Sequence, residues 1–474
     1  MLFNSFIFFI FLGIVLPIFY VLPTKNSKNA FLLIASYFFY GYWDWRFCSL
    51  LAISTIIDFV LGQKLYKASS LKTRTSLLVI SLIANLGILG FFKYFNFFVD
   101  SFQSLSNNFG WELDFLHLNI ILPVGISFYT FQTLSYTIDI YRKRLEPTSN
   151  FVDFALFVSF FPQLVAGPIE RAKSLLPQLM VKLKPNSEQL KQGVTLIIIG
   201  LFRKVMIGDT AGRYVDNIFG NLELYKSVEI LAALVLFSVQ IYADFSGYSH
   251  IARGTAKLMG VELMKNFEQP YLSRNITEFW RRWHISLSSW LKDYLYISLG
   301  GNRKGEFRTY SNLMITMLLG GLWHGASWNF VIWGGIHGLY LSIHKIITGR
   351  NKIKTDNIVK PTVGNVLYVF ITYVLVTFTW IFFRSTSWET TKLFFNKMIL
   401  WETSEYTLLF VTVAISYLVI TLMFDLFEYV TNSHTYILRI RSRGIKIGIL
   451  SMMLLVTLIY MFQSEPSPFI YFQF

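Results

Sequence analysis

Seven histidines stand in this chain: His117, His250, His284, His324, His337, His344 and His434. An imidazole inside a membrane segment is costly and marks a functional site by default; the plain alternative is a neutral ring hydrogen-bonded to a neighbouring helix. His324 has the surroundings most suited to chemistry. Gly320, Gly321 and Gly325 beside it permit close backbone approach, Trp323, Trp328 and Trp333 are placed to wall it, and Ser327 and Asn329 offer polar partners. A neutral imidazole titrating near its ordinary value of about 6.5 suits removal of a proton from a hydroxyl. His284 lies in FWRRWHISLSSWLKDYLY. There Trp280, Trp283 and Trp290 suit a headgroup-level anchor, while Arg281, Arg282 and Lys292 could hold the phosphates of a donor. His337 and His344 share a helix face with no carboxylate near, so they read as structural and no metal site is expected; His117 and His434 read as interface residues. Asp244, Arg203 and Lys204 interrupt apolar runs, where charges are usually paired.

The elements that must position these residues are membrane helices. Of 474 residues, 54% are hydrophobic and 15% charged, against ~25% charged in soluble domains, and the mean hydropathy is +0.49. Apolar stretches of about 20 residues, enough to cross a ~30 Å hydrocarbon core, recur along the whole sequence. The expected fold is all-α: a polytopic membrane protein of about 10–12 transmembrane helices, with re-entrant or interfacial helices. The first 22 residues or so lack a basic leader and a small-residue cleavage site and read as a retained helix. The net charge of +15 sits in short loops, as the positive-inside bias predicts, and so argues for a lipid bilayer and not for nucleic acid. Cys48 is the sole cysteine, which excludes a disulfide or a cysteine-based zinc site.

Alternation of the basic loops against the loop at 100–116, with Asp100, Glu112 and Asp114, places the N-terminus outside. It then fails twice. Residues 151–168, with Pro162 and Gly167-Pro168, and the polar stretch 283–301 are each flanked by basic residues on both sides. They read as re-entrant or interfacial, and non-helical backbone at membrane depth is tolerated only where it is buried in protein or lines a wet cavity. Residues 312–347 also have basic flanks (Arg303, Lys304 and Arg308; Lys345, Arg350 and Lys352), which predicts a hairpin turning near GGLWHGASWNF. A leg of about 15 residues would place His324 roughly 20 Å below the cytoplasmic surface. A single long tilted helix is the competing reading. No internal repeat supports a secondary-transporter architecture. The whole of 1–474 reads as one integral-membrane domain: N-terminal helices over 1–145, a core with the histidine motifs over 146–350, and C-terminal helices with an extracytoplasmic tail over 351–474.

The stretches RRWHISLSSWLKDYLYISLGGNRKG and LGGLWHGASWNFVIWGGIHG closely resemble the membrane-bound O-acyltransferase family. LPVGISFYTFQTLSYTIDIYR, FFPQLVAGPIER and YADFSGYS resemble its bacterial polysaccharide O-acetyltransferase branch, so the likeness covers essentially the whole chain. Two positions depart from that pattern: His250, where an acid commonly follows GYS, and Ser298, where a proline commonly sits. The resemblance implies a ring of helices around a central tunnel in a bacterial cytoplasmic (inner) membrane, with His324 as the essential histidine, held in the tunnel, and His284 as the second motif histidine. It also implies acetyl-CoA as a cytoplasmic donor with no bound cofactor, an extracytoplasmic polysaccharide as product, and a periplasmic or extracellular SGNH-type acetyltransferase as partner.

The segment SEPSPFIYFQF follows the last helix and carries one hydroxyl in its final hexapeptide, Tyr471. A phenol titrating near 10 is more readily deprotonated than a sugar hydroxyl, and its ester is more activated. Tyr471 is therefore a candidate acyl acceptor at His324; an aromatic interfacial anchor is the alternative. The related D-alanylation machinery has a small partner with a similar-looking tail. The expected activity is acetyl transfer across the membrane. D-alanyl transfer to teichoic acid, a proton-coupled transporter or flippase, and a scaffold for glycan export are the other readings.

Overall fold

The computed structural model describes residues 1–111, 116–165, 167–349 and 362–472; Glu112, Asp114, Arg350 and Lys352, used above for topology, lie outside them. Regular structure among the described residues is helical throughout. Among the described residues, seven stretches are long and apolar enough to cross a membrane: Lys25–Lys67, Leu71–Asn108, Ser227–Leu258, Trp328–Thr348, Val363–Arg384, Thr407–Thr431 and Arg443–Gln463. The further crossings expected from sequence fall on shorter or more polar helices, among them Phe6–Val21, Ile126–Tyr141, Ser187–Leu201 and Glu306–His324.

The described residues group into two compact units, one holding Phe6–Gln189 and Thr255–Leu263 with Met1, the other Leu2–Ser5, Leu190–Gly254 and Met264–Phe474. In the first unit, polar side chains tie apolar helices together. Asp58 accepts from Ser81 (2.6 Å) and Asn85 (2.8 Å), and Asn85 accepts from Ser54 and Thr133, which joins the helices Cys48–Lys67, Leu71–Leu89 and Ile126–Tyr141. Arg74 donates to the carbonyls of Leu65, Ile140 and Tyr141, satisfying acceptors at the ends of two helices that no helical partner can reach. The segment expected to be re-entrant forms two short helices, Phe151–Ser159 and Phe161–Leu164, separated at Phe160. The 9-residue first helix is about 14 Å long and cannot span a bilayer.

In the second unit, the helix that begins at Ser187–Leu201 widens into a π-helical stretch at Phe202–Asp209 before continuing as Thr210–Gly220. The extra residue per turn presents both Arg203 and Lys204 to the protein interior, where they are 2% and 0% exposed. Arg203 reaches Glu428 at 2.9 Å and Asp425 at 3.3 Å. The hairpin is the arrangement formed: helix Glu306–His324 ends at the extended Gly325, and Trp328–Thr348 starts from Ser327, whose hydroxyl accepts from Asn329 N. The legs touch backbone to backbone. A Cβ at Gly334 would lie 2.2 Å from the Met317 carbonyl, and one at Gly321 would lie 2.1 Å from that of Phe330. Close approach at small residues is how helices adhere where lipid offers no hydrophobic gain.

Candidate active site

His324 is the last residue of its helix, which places the ring at the hairpin turn and not along a helix face. It is 4% exposed. Its centroid lies 5.1 Å from Trp323, 5.0 Å from Trp333, 5.4 Å from Phe383 and 5.4 Å from Tyr471. Of the three tryptophans expected to wall it, Trp328 does not: it is 59% exposed. Phe383, from helix Val363–Arg384, supplies the missing wall.

Ser327 and Asn329 were expected to serve the imidazole, but their described hydrogen bonds run elsewhere. Ser327 caps the following helix, and the Asn329 amide donates to Ser385 O, Ser387 O and Thr391 Oγ1, pinning the turn after Phe383. An orphaned helix N-terminus and a turn carbonyl claim these side chains first.

His284 lies outside any long helix and adopts a left-handed backbone (φ 42°, ψ 55°), rare for a residue with a Cβ. Asn266 enforces it. Its carbonyl accepts from Ile285 N at 2.8 Å, and its Oδ1 accepts from Ser286 N and Ser286 Oγ. The same Oδ1 lies 3.2 Å from His284 Nδ1, an acceptor that places the ring proton on Nδ1 and leaves Nε2 as the basic nitrogen. Burial holds the His284 imidazole far below its usual range, at about 3, so the ring is neutral. The two imidazoles are 6.4 Å apart, and His284 is also 6.4 Å from Tyr471 and 4.7 Å from Phe245. The result is a buried cluster of two imidazoles and one phenol, packed against Phe245, Trp323, Trp333 and Phe383.

Tyr471 arrives from the segment after Arg443–Gln463 and packs on Phe245 at 4.7 Å. Burial raises its phenol above the ordinary value, so the ease of deprotonation expected of an exposed tyrosine is lost and a base is needed. Asp244 sits behind it, 2.8 Å from Lys204 and accepting from Ile470 N at 2.8 Å. Both partners, Lys204 and the Ile470 backbone, are far away in the chain, which no spacing rule anticipates.

Of the three cations expected to hold a donor, two lie at the surface: Arg281 and Lys292 are exposed. Arg282 alone lines a polar cavity of about 270 Å³, with Lys265, Glu268, Gln269, Tyr429 and Asn432. It is paired with Glu278 at 2.7 Å and lies over Tyr429. His337 is structural, between Trp280 Nε1 (3.2 Å) and Thr379 Oγ1 (3.0 Å). His434 is no interface residue: it is buried, with its Nδ1 3.0 Å from His250 Nε2 and 2.8 Å from Arg253. Asn266, Phe383, Asp425 and Glu428 carried no signal in the sequence, because each acts through a partner distant in the chain, and Lys204 was marked there only as a charge in need of a partner.

The profile of the membrane-bound O-acyltransferase family matches residues 141–385, which contain both histidines. The probable alginate O-acetylase of Pseudomonas putida is 39% identical, with 100% of each chain covered. The peptidoglycan O-acetyltransferase of Helicobacter pylori is 36% identical over 82% of this chain and 78% of its own. The teichoic acid D-alanyltransferase of Streptococcus thermophilus is 30% identical over 47% of this chain and 56% of its own.

Proposed function

This chain belongs to the membrane-bound O-acyltransferase family, and from that premise we propose that it moves an acetyl group from cytoplasmic acetyl-CoA across a bacterial cytoplasmic membrane for O-acetylation of an extracytoplasmic polysaccharide. The observation that carries the mechanism is the approach of Tyr471 to His324, 5.4 Å between ring centroids in an aromatic cluster. A phenol raised by burial needs a base within reach, and a neutral imidazole is one. His324 takes the phenolic proton as the oxygen attacks the thioester carbonyl. The carbon–sulfur bond breaks, the thiolate leaves with the proton returned from His324, and the acetyl group remains as an ester on Tyr471. His284, fixed in its tautomer by Asn266, presents Nε2 as an acceptor and orients the thioester donor beside His324.

Arg282, with Lys265, supports donor binding at the polar cavity, where the charged end of acetyl-CoA would find cationic partners; Arg281 and Lys292 remain available only as surface charge. An SGNH-type acetyltransferase outside the membrane would then collect the acetyl group from Tyr471 for the glycan. The relatives named for alginate and peptidoglycan O-acetylation support an acetyl cargo over D-alanine, since their likeness extends over most of the chain. The test is a single turnover of radiolabelled acetyl-CoA on purified protein. Wild type should release CoA and carry label on Tyr471, His324→Ala should do neither, and Tyr471→Phe should carry no label. Label that persists in His324→Ala would refute the assignment of the base.

A further inference from the structure

Residues 464–472 leave helix Arg443–Gln463 as extended chain and close in a single turn, Ile470–Phe472. What holds this segment is unusual for a membrane protein: charged and amide side chains gripping its backbone. Asn4 Nδ2 donates to Ser467 O at 3.1 Å, Lys204 Nζ donates to Pro468 O at 3.4 Å, and Asp244 Oδ2 accepts from Ile470 N at 2.8 Å. The three side chains form one buried network. Lys204 is 2.8 Å from Asp244 and 2.6 Å from Asp209, and Asn4 is 3.4 Å from Asp209. Lys204, Asp244 and Asn4 are 0%, 3% and 2% exposed.

A buried ion cluster is a poor source of stability, since desolvation cancels most of the attraction between its members. Its use here is geometric. Backbone contacts at 467, 468 and 470 fix the register of the segment independently of its side chains, and a slip of one residue would carry Tyr471 about 3.3 Å along the chain. Phe469 completes the grip, 4.7 Å from Tyr248 and 5.2 Å from Phe245. We propose that Asn4, Lys204 and Asp244 are positioning residues, a clamp on the backbone of 467–470 that holds Tyr471 at His324. This rests on the reading of Tyr471 as acceptor.

The test deletes one backbone donor without touching the cluster. Ile470→Pro removes the N–H that Asp244 accepts, at the first position of a turn, where a proline ring is tolerated. Ile470→Ala removes side chain and keeps the N–H. Both are made with Cys48→Ala and Phe472→Cys, so that a water-soluble maleimide reports release of the segment, alongside single-turnover labelling of Tyr471 by acetyl-CoA. Ile470→Pro should raise the alkylation rate and lower the labelling rate, each about 10-fold or more, without a change in KM for acetyl-CoA, while Ile470→Ala changes each less than about 3-fold. Asn4→Ala, which leaves every charge paired, should shift both rates in the same direction by less. If Pro and Ala behave alike, or if labelling falls with alkylation unchanged, the clamp is overturned. Absence of label on wild-type Tyr471 would instead overturn the acceptor reading, and the alkylation rates would still decide the clamp.

Discussion

Two adjacent glycines in helix Trp328–Thr348 separate the geometry of the hairpin from its composition. Gly334 faces the other leg: a Cβ there would lie 2.2 Å from the Met317 carbonyl oxygen and 3.2 Å from Gly321 Cα, against 3.4 Å or more for ordinary contact. Both atoms are backbone, so no rotamer change relieves the overlap, and the legs must part by about 1 Å at this layer. Trp333, one residue away, is in ring contact with His324 at 5.0 Å. A displacement of about 1 Å at a reacting group costs on the order of 100-fold in rate, and overpacking costs ~1–3 kcal/mol. Gly334→Ala should therefore lose about 100-fold in His324-dependent CoA release and melt lower. Gly335→Ala places its Cβ at 3.4 Å from a flexible Leu318 methyl and should match wild type in both. The assay is CoA release from acetyl-CoA in lipid nanodiscs, with thermal melting of the same samples. A Gly334→Ala protein with wild-type turnover would refute the claim that backbone contact between the legs sets the position of His324.

Other perturbations read the rest of the site. Asn266→Ala removes the acceptor of His284 Nδ1 and of Ser286; turnover should fall about 10-fold or more from loss of tautomer and orientation, while KM for acetyl-CoA holds, as steady-state kinetics would show. His284 is neutral in the fold at about 3 but protonates near 6.5 when unfolded. Its share of stability is thus complete above pH ~6.5 and declines below it by up to ~1.4 kcal/mol per unit. His284→Gln should narrow the gap between melting temperatures at pH 7.5 and 5.5 (two pH values about either side of 6.5); an unchanged gap would contradict the burial argument. Arg203→Leu leaves Asp425 and Glu428 buried together and should cost ~3–5 kcal/mol, seen as lost folded yield. Adding Asp425→Asn and Glu428→Gln to that variant should restore much of it.

The membrane class, the hairpin at 312–347 and the place of His324 at its turn were legible because each depends on short-range pattern. Hydropathy runs betray helices, loop charge betrays a turn, and a tryptophan- and glycine-rich block around a histidine stands out in an apolar chain. Tyr471 was legible for a similar reason, as the one hydroxyl in an aromatic hexapeptide. Tertiary structure decided which of these residues meet. It turned Trp328, Ser327 and Asn329 away from the imidazole, put Phe383 and Phe245 in the wall, and left Arg281 and Lys292 at the surface. It also paired Asp244 with Lys204 and with the backbone of 470, and Arg203 with two acids more than 200 residues distant. The physical reason is common to all of them. Periodicity along a helix states which side chains share a face, whereas the partner across that face is chosen by packing between segments remote in the chain, which local pattern does not encode.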